Sequence, residues 1–258
     1  MTLLAVQNLE KKFGGLIAVN DISFEVERGE IFTIIGPNGA GKSTLFKLIT
    51  AFTRPTAGRV IFDGEDITRL PAHLVARKGV VRTFQETTIF KEMTVVENVI
   101  VAHHLRSRAS SWGFFFNSAK ARRDEEEFRE SANSIIEILG LDEVRNEQAR
   151  NLPHGYLREL GIAIAMAAEP KALLLDEPFS GMNPEETDRA VDMVRGIRDR
   201  GITILLVEHD MRAVMRISDR ILVLNFGGRV ALGTPSEIQN NESVIEAYLG
   251  REDDELGI

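Results

Sequence analysis

The stretch GPNGAGKST at residues 36–44 constrains this chain more than any other part of the sequence. It consists of a glycine, four residues, a second glycine, a lysine and a hydroxyl residue, the spacing with which successive backbone N–H groups wrap a polyphosphate. A largely apolar, β-branched run precedes it at residues 31–35, and an apolar stripe of Leu45, Leu48 and Ile49 follows it. The pattern therefore predicts a strand, a phosphate-binding loop and a helix, in that order.

Each residue type at the fixed positions of this loop has a chemical role. Gly36 and Gly41 let the backbone turn tightly and approach the phosphates. Lys42 brings a positive charge near the β and γ oxygens, and Ser43 offers a hydroxyl to Mg²⁺. A helix that begins at Lys42 would also aim its positive N-terminal end at the anion. The predicted nucleotide-binding residues of the loop are Gly36, Asn38, Gly39, Ala40, Gly41, Lys42, Ser43 and Thr44.

The residue totals describe an ordinary soluble globular protein and exclude several kinds of site. The 258 residues carry 31 basic and 39 acidic side chains, and the net charge of −8 weighs against a nucleic-acid partner. Because cysteine is absent, disulfides and thiolate metal sites are excluded. The N-terminus has no basic start followed by a long apolar core, and no run reaches about 18 apolar residues. We therefore expect neither a secretory signal nor a membrane span.

The first part of the chain is predicted to be antiparallel. Short strands are predicted at residues 3–9 and 22–26, with a connection at 11–15, and a strand at 58–62 is followed by a hairpin turn. Phe13 lies beside two glycines just ahead of the phosphate-binding loop. It is either a core residue or a platform on which a nucleotide base stacks, and both interpretations stay open.

Acidic and polar side chains follow three further predicted strands. The run at residues 172–175 is apolar throughout, as in a central parallel strand, and it ends in Asp176 and Glu177. One carboxylate can hold Mg²⁺ through water and the adjacent one can orient an attacking water. A buried strand at 202–207 would deliver His209 to the same edge of the sheet. Gln85 ends another predicted strand, where such a residue is usually solvated. Its spacing from the phosphate-binding loop makes it a candidate contact for Mg²⁺ or water.

Between residues 100 and 160 the pattern changes to helices. The apolar residues that recur there at helical spacing are Phe128, Ala132, Ile135, Ile136 and Leu139. The charged run at 122–127 most simply forms the solvated face of this helix. The aromatic cluster WGFFF at 112–116 either contacts a partner or a membrane surface, or packs on the helices.

Two N-cap signatures predict the starts of later helices. Asn183 is followed by proline and then by a glutamate at the third helical position, which predicts a helix that runs to Gly201. Thr234 begins the same pattern for a last helix near Tyr248.

Together these residues resemble the ATP-binding subunits of ABC transporters, over nearly the whole chain. The resemblance makes residues 36–44 the Walker A loop and implies ATP and Mg²⁺ as ligands. It makes Gln85 the Q-loop glutamine, Glu177 the catalytic glutamate and His209 the switch histidine. The Mg²⁺ contacts that it implies are Ser43, Gln85 and Asp176. Phe13 falls where the family stacks adenine, although tyrosine is commoner there.

The resemblance also implies the fold and the partners. The fold is a single α/β P-loop NTPase domain over residues 1–258, with a RecA-like core and an N-terminal antiparallel β part at 1–85 and 161–258. A helical subdomain is inserted at 86–160. Short segments such as GMNPE from Gly181 and VEHDM from Val207 look like the branched-chain amino-acid import subfamily. That subfamily implies two permease subunits, a second ATP-binding subunit and an extracytoplasmic solute-binding protein, at the cytoplasmic face of the inner membrane.

Two segments depart from the family pattern. The LSGGQ signature motif, which in the family contacts the γ-phosphate held by the opposite subunit, is replaced by Leu152, Pro153, His154, Gly155 and Tyr156. Pro153 removes a hydroxyl donor that Tyr156 or His154 would have to replace. Because members of the subfamily relax these positions, we hypothesise a working but asymmetric heterodimer. The D-loop aspartate is likewise Asn183, whose N-cap role is a sufficient structural explanation.

Two other functions compete with this prediction. The ATPase of lipopolysaccharide export looks similar at the C-terminus. The second competing function is that of a soluble ABC protein that acts as a nucleotide-driven switch. Such proteins usually fuse two cassettes or carry a coiled-coil insert. The transported solute cannot be deduced from the chain, because the ATPase does not touch it.

Overall fold

A computed structural model describes residues 1–83, 89–106 and 119–249. Gln85, the aromatic cluster at 112–116 and Gly250 therefore lie outside the described residues. The chain divides into two compact units, Met1–Val80 with Leu174–Ile258, and Val81–Leu173. Among the helices that the structure describes, none has the length and apolar character needed to cross a membrane. The bounds predicted for the helical subdomain stay a prediction.

The described strands and helices follow in chain order. The strands are β1 (Thr2–Phe13), β2 (Leu16–Glu27), β3 (Ile31–Ile35), β4 (Ala57–Phe62), β5 (Glu65–Asp66), β6 (Val80–Arg82), β7 (Ala172–Asp176), β8 (Thr203–Val207), β9 (Arg220–Asn225) and β10 (Gly228–Gly233). The helices are α1 (Lys42–Ile49), α2 (Ala72–Arg77), α3 (Val95–Arg106), α4 (Ala119–Ile138), α5 (His154–Ala167), α6 (Pro184–Asp199), α7 (Met211–Ile217), α8 (Pro235–Gln239) and α9 (Glu242–Leu249).

The first unit contains a four-stranded sheet in the order β2-β1-β4-β5, whose paired strands are antiparallel as predicted. The predicted connection at 11–15 is wrong, because Lys11 pairs with Val19 and Phe13 pairs with Leu16. Only Gly14 and Gly15 form the turn. The tip of this hairpin is largely exposed on both faces, so its sequence lacks the alternation that marks a half-buried strand.

A six-stranded sheet in the order β10-β9-β3-β8-β7-β6 forms the core. Strand β3 is parallel to both β8 and β9, and every residue of β3 and β8 is buried. Strand β7 is buried from Ala172 to Leu175, as its continuous apolar run predicts. The boundaries between the two units fall within β6 and β7. This is the α/β arrangement that the sequence predicts.

Helices α3, α4 and α5 pack together in the second unit. The apolar stripe predicted for α4 is confirmed, because Ala132, Ile135 and Ile136 are buried. Phe128 belongs to the same stripe and stacks on His103 of α3, with ring centroids 5.4 Å apart. Glu126 and Glu127 are exposed, as expected for the charged face.

The later helices begin where the N-cap signatures predict. The side chain of Asn183 accepts a hydrogen bond from the backbone of Glu186 at 2.9 Å, and the Glu186 carboxylate accepts one from the backbone of Asn183 at 2.9 Å. The single last helix predicted from Thr234 is wrong, because α8 ends before Asn240 and α9 begins at Glu242. The side chain of Asn241 accepts from the Val244 N–H at 3.2 Å and so favours a second helix start.

Candidate nucleotide-binding site

Three segments leave the six-stranded sheet at the same edge. In the parallel pair of β3 and β8, Ile34 lies beside Val207, so the phosphate-binding loop begins two residues after this pair and Glu208 one residue after it. The backbone N–H of Glu177, just after β7, donates to the Val207 carbonyl at 2.9 Å. The phosphate-binding loop, the acidic pair and the histidine segment therefore start from one edge, where ligands bind in open α/β sheets.

The backbone of the phosphate-binding loop requires glycine at two of its positions. A Cβ on Gly36 would lie 2.2 Å from the carbonyl oxygen of Leu224, and a Cβ on Gly41 would lie 2.3 Å from that of Ala18. Gly41 also has a φ of +101°, in the left-handed region. The tight loop conformation inferred from the spacing is therefore present, and neighbouring backbone holds it in place.

The donors of the loop suit a triphosphate. The Lys42 ammonium donates to the carbonyls of Gly36 at 2.6 Å and Pro37 at 3.0 Å, so the charge is held against the loop. The first hydrogen bond within α1 runs from the Leu45 N–H to the Gly41 carbonyl at 2.9 Å. The N–H groups of the first turn thus point out of the helix end, and none of the residues of that turn is acidic.

The remaining loop residues differ in exposure. Asn38, Gly39 and Ser43 are exposed, and Thr44 is half-buried. Ala40 is buried, and its carbonyl accepts from the Gly227 N–H at 3.1 Å. Ser43, the hydroxyl residue of the loop, is therefore open to solvent.

Glu177 and His209 are close together beside the loop. The Oε2 atom of Glu177 is 3.9 Å from Nδ1 of His209, and these side chains are 37% and 60% exposed. Glu177 has a φ of +49°, in the left-handed region that a glutamate seldom occupies. Asp176 is half-buried at the end of β7. The proximity of the acid and the imidazole is the geometry expected if both serve one reacting group.

Glu208 is a buried residue of this edge that the sequence did not single out. Its side chain is 0% exposed, and its carboxylate accepts from the backbone N–H of Phe179 at 2.7 Å and of His209 at 3.0 Å. Burial raises the pKa of Glu208, and the bonds from Phe179 and His209 oppose that rise. A charged residue after a strand is usually solvated, so no pattern in the sequence marked it.

Phe13 is an exposed residue at the end of β1. Its side chain is 51% exposed, which excludes the core interpretation. The Lys11 ammonium lies 4.8 Å from the centroid of its ring and donates to the Arg54 carbonyl at 2.9 Å. One face of the ring therefore carries a cation.

The signature residues lie in the second unit, at the start of α5. Pro153 is the N-cap and offers no side-chain cap, so the first turn depends on other partners for its N–H groups. Leu152 is buried, His154 and Gly155 are exposed, and Tyr156 is half-buried. Gln85, the remaining predicted site residue, lies outside the described residues, and Asn183 caps α6 in the first unit.

Family models match two parts of the chain. The model described as ABC transporter matches residues 19–180. A second model, described as branched-chain amino acid ATP-binding cassette transporter, matches residues 229–254.

Curated proteins match over almost the full length. The high-affinity branched-chain amino acid transport ATP-binding protein BraF of Pseudomonas aeruginosa is 46% identical over 249 residues, which cover 96% of this chain and 98% of BraF. The protein LivG of Escherichia coli, described in the same words, is 45% identical over the same shares. The lipopolysaccharide export system ATP-binding protein LptB of Haemophilus influenzae is 33% identical and covers 98% of this chain and 99% of its own.

Solved structures also match over almost the full length. The ADP conformation of an ATP-binding cassette of an ABC transporter has a TM-score of 0.84 at 32% identity and covers 97% of this chain and 99% of its own. A nucleotide-free cassette has a TM-score of 0.82 at 33% identity, with 96% of this chain and 99% of its own covered.

Proposed function

Because this chain belongs to the ABC transporter family, we propose that it is the ATP-binding and ATP-hydrolysing subunit that powers an importer of branched-chain amino acids or a related small polar solute. The observation that carries the ATPase activity is the meeting of the phosphate-binding loop, Glu177 and His209 at one sheet edge. The similarity to BraF and LivG supports the solute class, together with the match at residues 229–254.

In the proposed mechanism, the loop amides and Lys42 hold the phosphates of ATP. Glu177 polarises the attacking water and His209 holds the γ-phosphate, roles supported by the 3.9 Å between their side chains. Phe13 stacks on the adenine with the ring face that Lys11 leaves uncovered. The Lys42 ammonium is held by loop carbonyls, and the backbones of Glu177 and His209 are held by hydrogen bonds, which favours a preorganised site.

The metal assignment follows from the oxygen donors of the site. We assign Mg²⁺ to Ser43, Asp176 and Gln85, and the first two are described residues with the oxygen ligands that Mg²⁺ prefers. When bound, Mg²⁺ neutralises charge that develops on the phosphates.

A second ATP-binding subunit, either a copy of this chain or a sister ATPase, completes the site in this proposal. The signature segment of that second subunit would face the γ-phosphate of the ATP bound to this chain. Residues 152–156 of this chain would in turn face the nucleotide bound to the second subunit. Exposed His154 and Gly155 lie in the first turn of α5, where backbone N–H groups favour an anion even though Pro153 supplies no hydroxyl. ATP drives closure only to the extent that it binds the closed dimer better than the open one.

The remaining partners are those of an importer. Two permease subunits would place the chain at the cytoplasmic face of the inner membrane, and an extracytoplasmic solute-binding protein would act on the complex indirectly. The negative net charge of −8 leaves nucleic acid outside this set.

Transport by the purified complex tests the proposal. The chain is recovered from detergent-solubilised membranes with its permease, which is identified, and the complex is reconstituted in proteoliposomes with its solute-binding protein. We expect ATP-dependent uptake of radiolabelled leucine by the parent and almost none by Glu177→Gln. The substitution Glu30→Gln, at a buried glutamate near the opposite end of β3, serves as the matched control and should leave uptake near the parent level.

Two results would contradict the proposal. Recovery with a lipid-export permease, without leucine uptake, would instead favour the activity named for LptB. Parent-like ATP turnover by Glu177→Gln would refute the assigned role of Glu177.

A further inference from the structure

Glu208 lies inside the protein although its side chain is ionisable. It follows β8 directly and its side chain is fully buried. It has no assigned role in the reaction, although its Oε2 atom lies 3.9 Å from Nδ1 of His209. A carboxylate is costly to remove from water, and an apolar residue of similar size could fill such a position more cheaply. The reason for a glutamate at this position therefore lies in what its two oxygens contact.

The two oxygens of Glu208 contact two different loops. Oε1 accepts from the backbone N–H of Phe179 at 2.7 Å, in the segment that follows Glu177. Oε2 accepts from the backbone N–H of His209 at 3.0 Å and from that of Asp210 at 3.5 Å, in the segment that carries the histidine. One buried carboxylate therefore joins the loop after β7 to the loop after β8.

These bonds extend the pairing between the strands past the edge of the sheet. The Glu177 N–H donates to the Val207 carbonyl at 2.9 Å. The Phe179 N–H donates to the side-chain carboxylate of Glu208, the residue after Val207. The Glu177 carbonyl also accepts from the Ser180 N–H at 3.2 Å. The left-handed φ of +49° at Glu177 is thus held by bonds before and after it.

The histidine loop is anchored in the same way. Asp210 caps α7 by accepting from the Ala213 N–H at 3.1 Å, while the Glu208 carboxylate holds the backbone of His209. The backbones that carry the two functional side chains are therefore both held by hydrogen bonds. The side chains of Glu177 and His209 are 3.9 Å apart, and Glu208 contacts the backbone of both loops that carry them.

We propose that Glu208 is a positioning residue, whose buried carboxylate sets the placement of Glu177 relative to His209 by joining the backbones of their two loops. The inference rests on the proposed roles of Glu177 and His209 in ATP hydrolysis. It predicts that a change at Glu208 affects the chemical step and leaves ATP binding by the phosphate-binding loop intact.

The test compares three variants in the purified complex with its permease. Glu208→Gln keeps the shape of the side chain, removes its charge and places an amide NH₂ among N–H donors. We expect kcat for ATP hydrolysis to fall between about 10-fold and about 100-fold, the range for lost support of a reacting group. The dissociation constant for a fluorescent ATP analogue should stay within about 3-fold of the parent value. A change that small is well below the expected loss in kcat, so the two effects can be distinguished.

Glu30→Gln is the matched control for effects on folding alone. Glu30 is also a buried glutamate, and it accepts from the backbone N–H of Glu27 at 2.6 Å just before β3, away from the functional edge. Rates are expressed per bound nucleotide, so that a partly unfolded sample does not imitate a slow enzyme. We expect the kcat of Glu30→Gln to equal that of the parent.

Each outcome separates this inference from the proposed function. Parent-like turnover in both Glu177→Gln and Glu208→Gln would contradict the proposed site and this inference. An inactive Glu177→Gln with a parent-like Glu208→Gln would overturn this inference alone, as would equal losses of kcat in Glu208→Gln and Glu30→Gln. If Glu208→Gln does not fold, Glu208→Asp replaces it. Its carboxylate is one methylene too short for Phe179, so its kcat should also fall, and an unchanged kcat would overturn the inference.

Discussion

Replacing Gly41 with alanine should destabilise the chain more than the same replacement at Gly39, although both glycines belong to the phosphate-binding loop. Both have left-handed backbone conformations, with φ of +101° and +84°. At either position, the backbone strain of an alanine lowers the free energy of unfolding by about 1–2 kcal/mol. The two sites differ in the space around the added methyl group.

The difference in magnitude comes from the Ala18 carbonyl. A Cβ on Gly41 would lie 2.3 Å from that oxygen, whereas a Cβ on Gly39 meets nothing within 4 Å. Since a carbon–oxygen contact normally needs about 3.3 Å, the loop and β2 must separate by about 1 Å. Overpacking of that kind costs about 1–3 kcal/mol more. We therefore expect Gly41→Ala to lose about 2–5 kcal/mol in total and Gly39→Ala about 1–2 kcal/mol.

Urea unfolding without nucleotide measures both values. The midpoints are compared at equal m-values, so that the change in the free energy of unfolding is read directly. Titration with a fluorescent ATP analogue should also show weaker binding by Gly41→Ala, because its loop must move. Equal destabilisation by the two variants would refute the explanation from the Ala18 contact.

Three further predictions concern a helix cap, a turn and a buried acid. Asn183→Ala should lower the free energy of unfolding by about 1 kcal/mol, because the cap bond to Glu186 is lost, and Asn183→Asp should keep it; equal losses would argue against capping. Phe226 has a φ of +45° in the two-residue turn between β9 and β10 and is 88% exposed. Because asparagine adopts this backbone conformation more readily, Phe226→Asn should raise the melting temperature. A decrease would contradict a strained turn. Burial raises the pKa of Glu30 above 4.5. The free energy of unfolding of the parent, relative to that of Glu30→Gln, should therefore fall as the pH rises from 4.5 through the folded pKa. Urea unfolding at a series of pH values measures this difference, and an increase with pH would contradict the raised pKa.

The sequence predicts the parts of the site that depend on local pattern. The glycine spacing requires a tight loop, and the contacts of Gly36 and Gly41 with neighbouring carbonyls explain why. The apolar run before Asp176 predicts a buried strand, and the structure has β7 there. The cap at Asn183 is equally local, since its partner Glu186 is three residues away.

Features that depend on distant segments were not predictable. No sequence pattern marks Glu208, because only the fold brings the Phe179 N–H to it, from 29 residues away in the chain. The positive φ of Glu177 likewise depends on its bond to Val207. The sequence predicts the hairpin of β1 and β2 too short, because its exposed tip is held by strand pairing and not by burial.

The central claim is that Glu177 performs the chemical step at a site whose loop binds ATP independently of it. The most direct measurement is ATP binding and ATP turnover by Glu177→Gln in the same purified complex. We expect ATP binding within about 3-fold of the parent and turnover reduced by about 100-fold or more, since an interaction made only in the transition state has been removed. Turnover equal to that of the parent, with ATP bound, would contradict it.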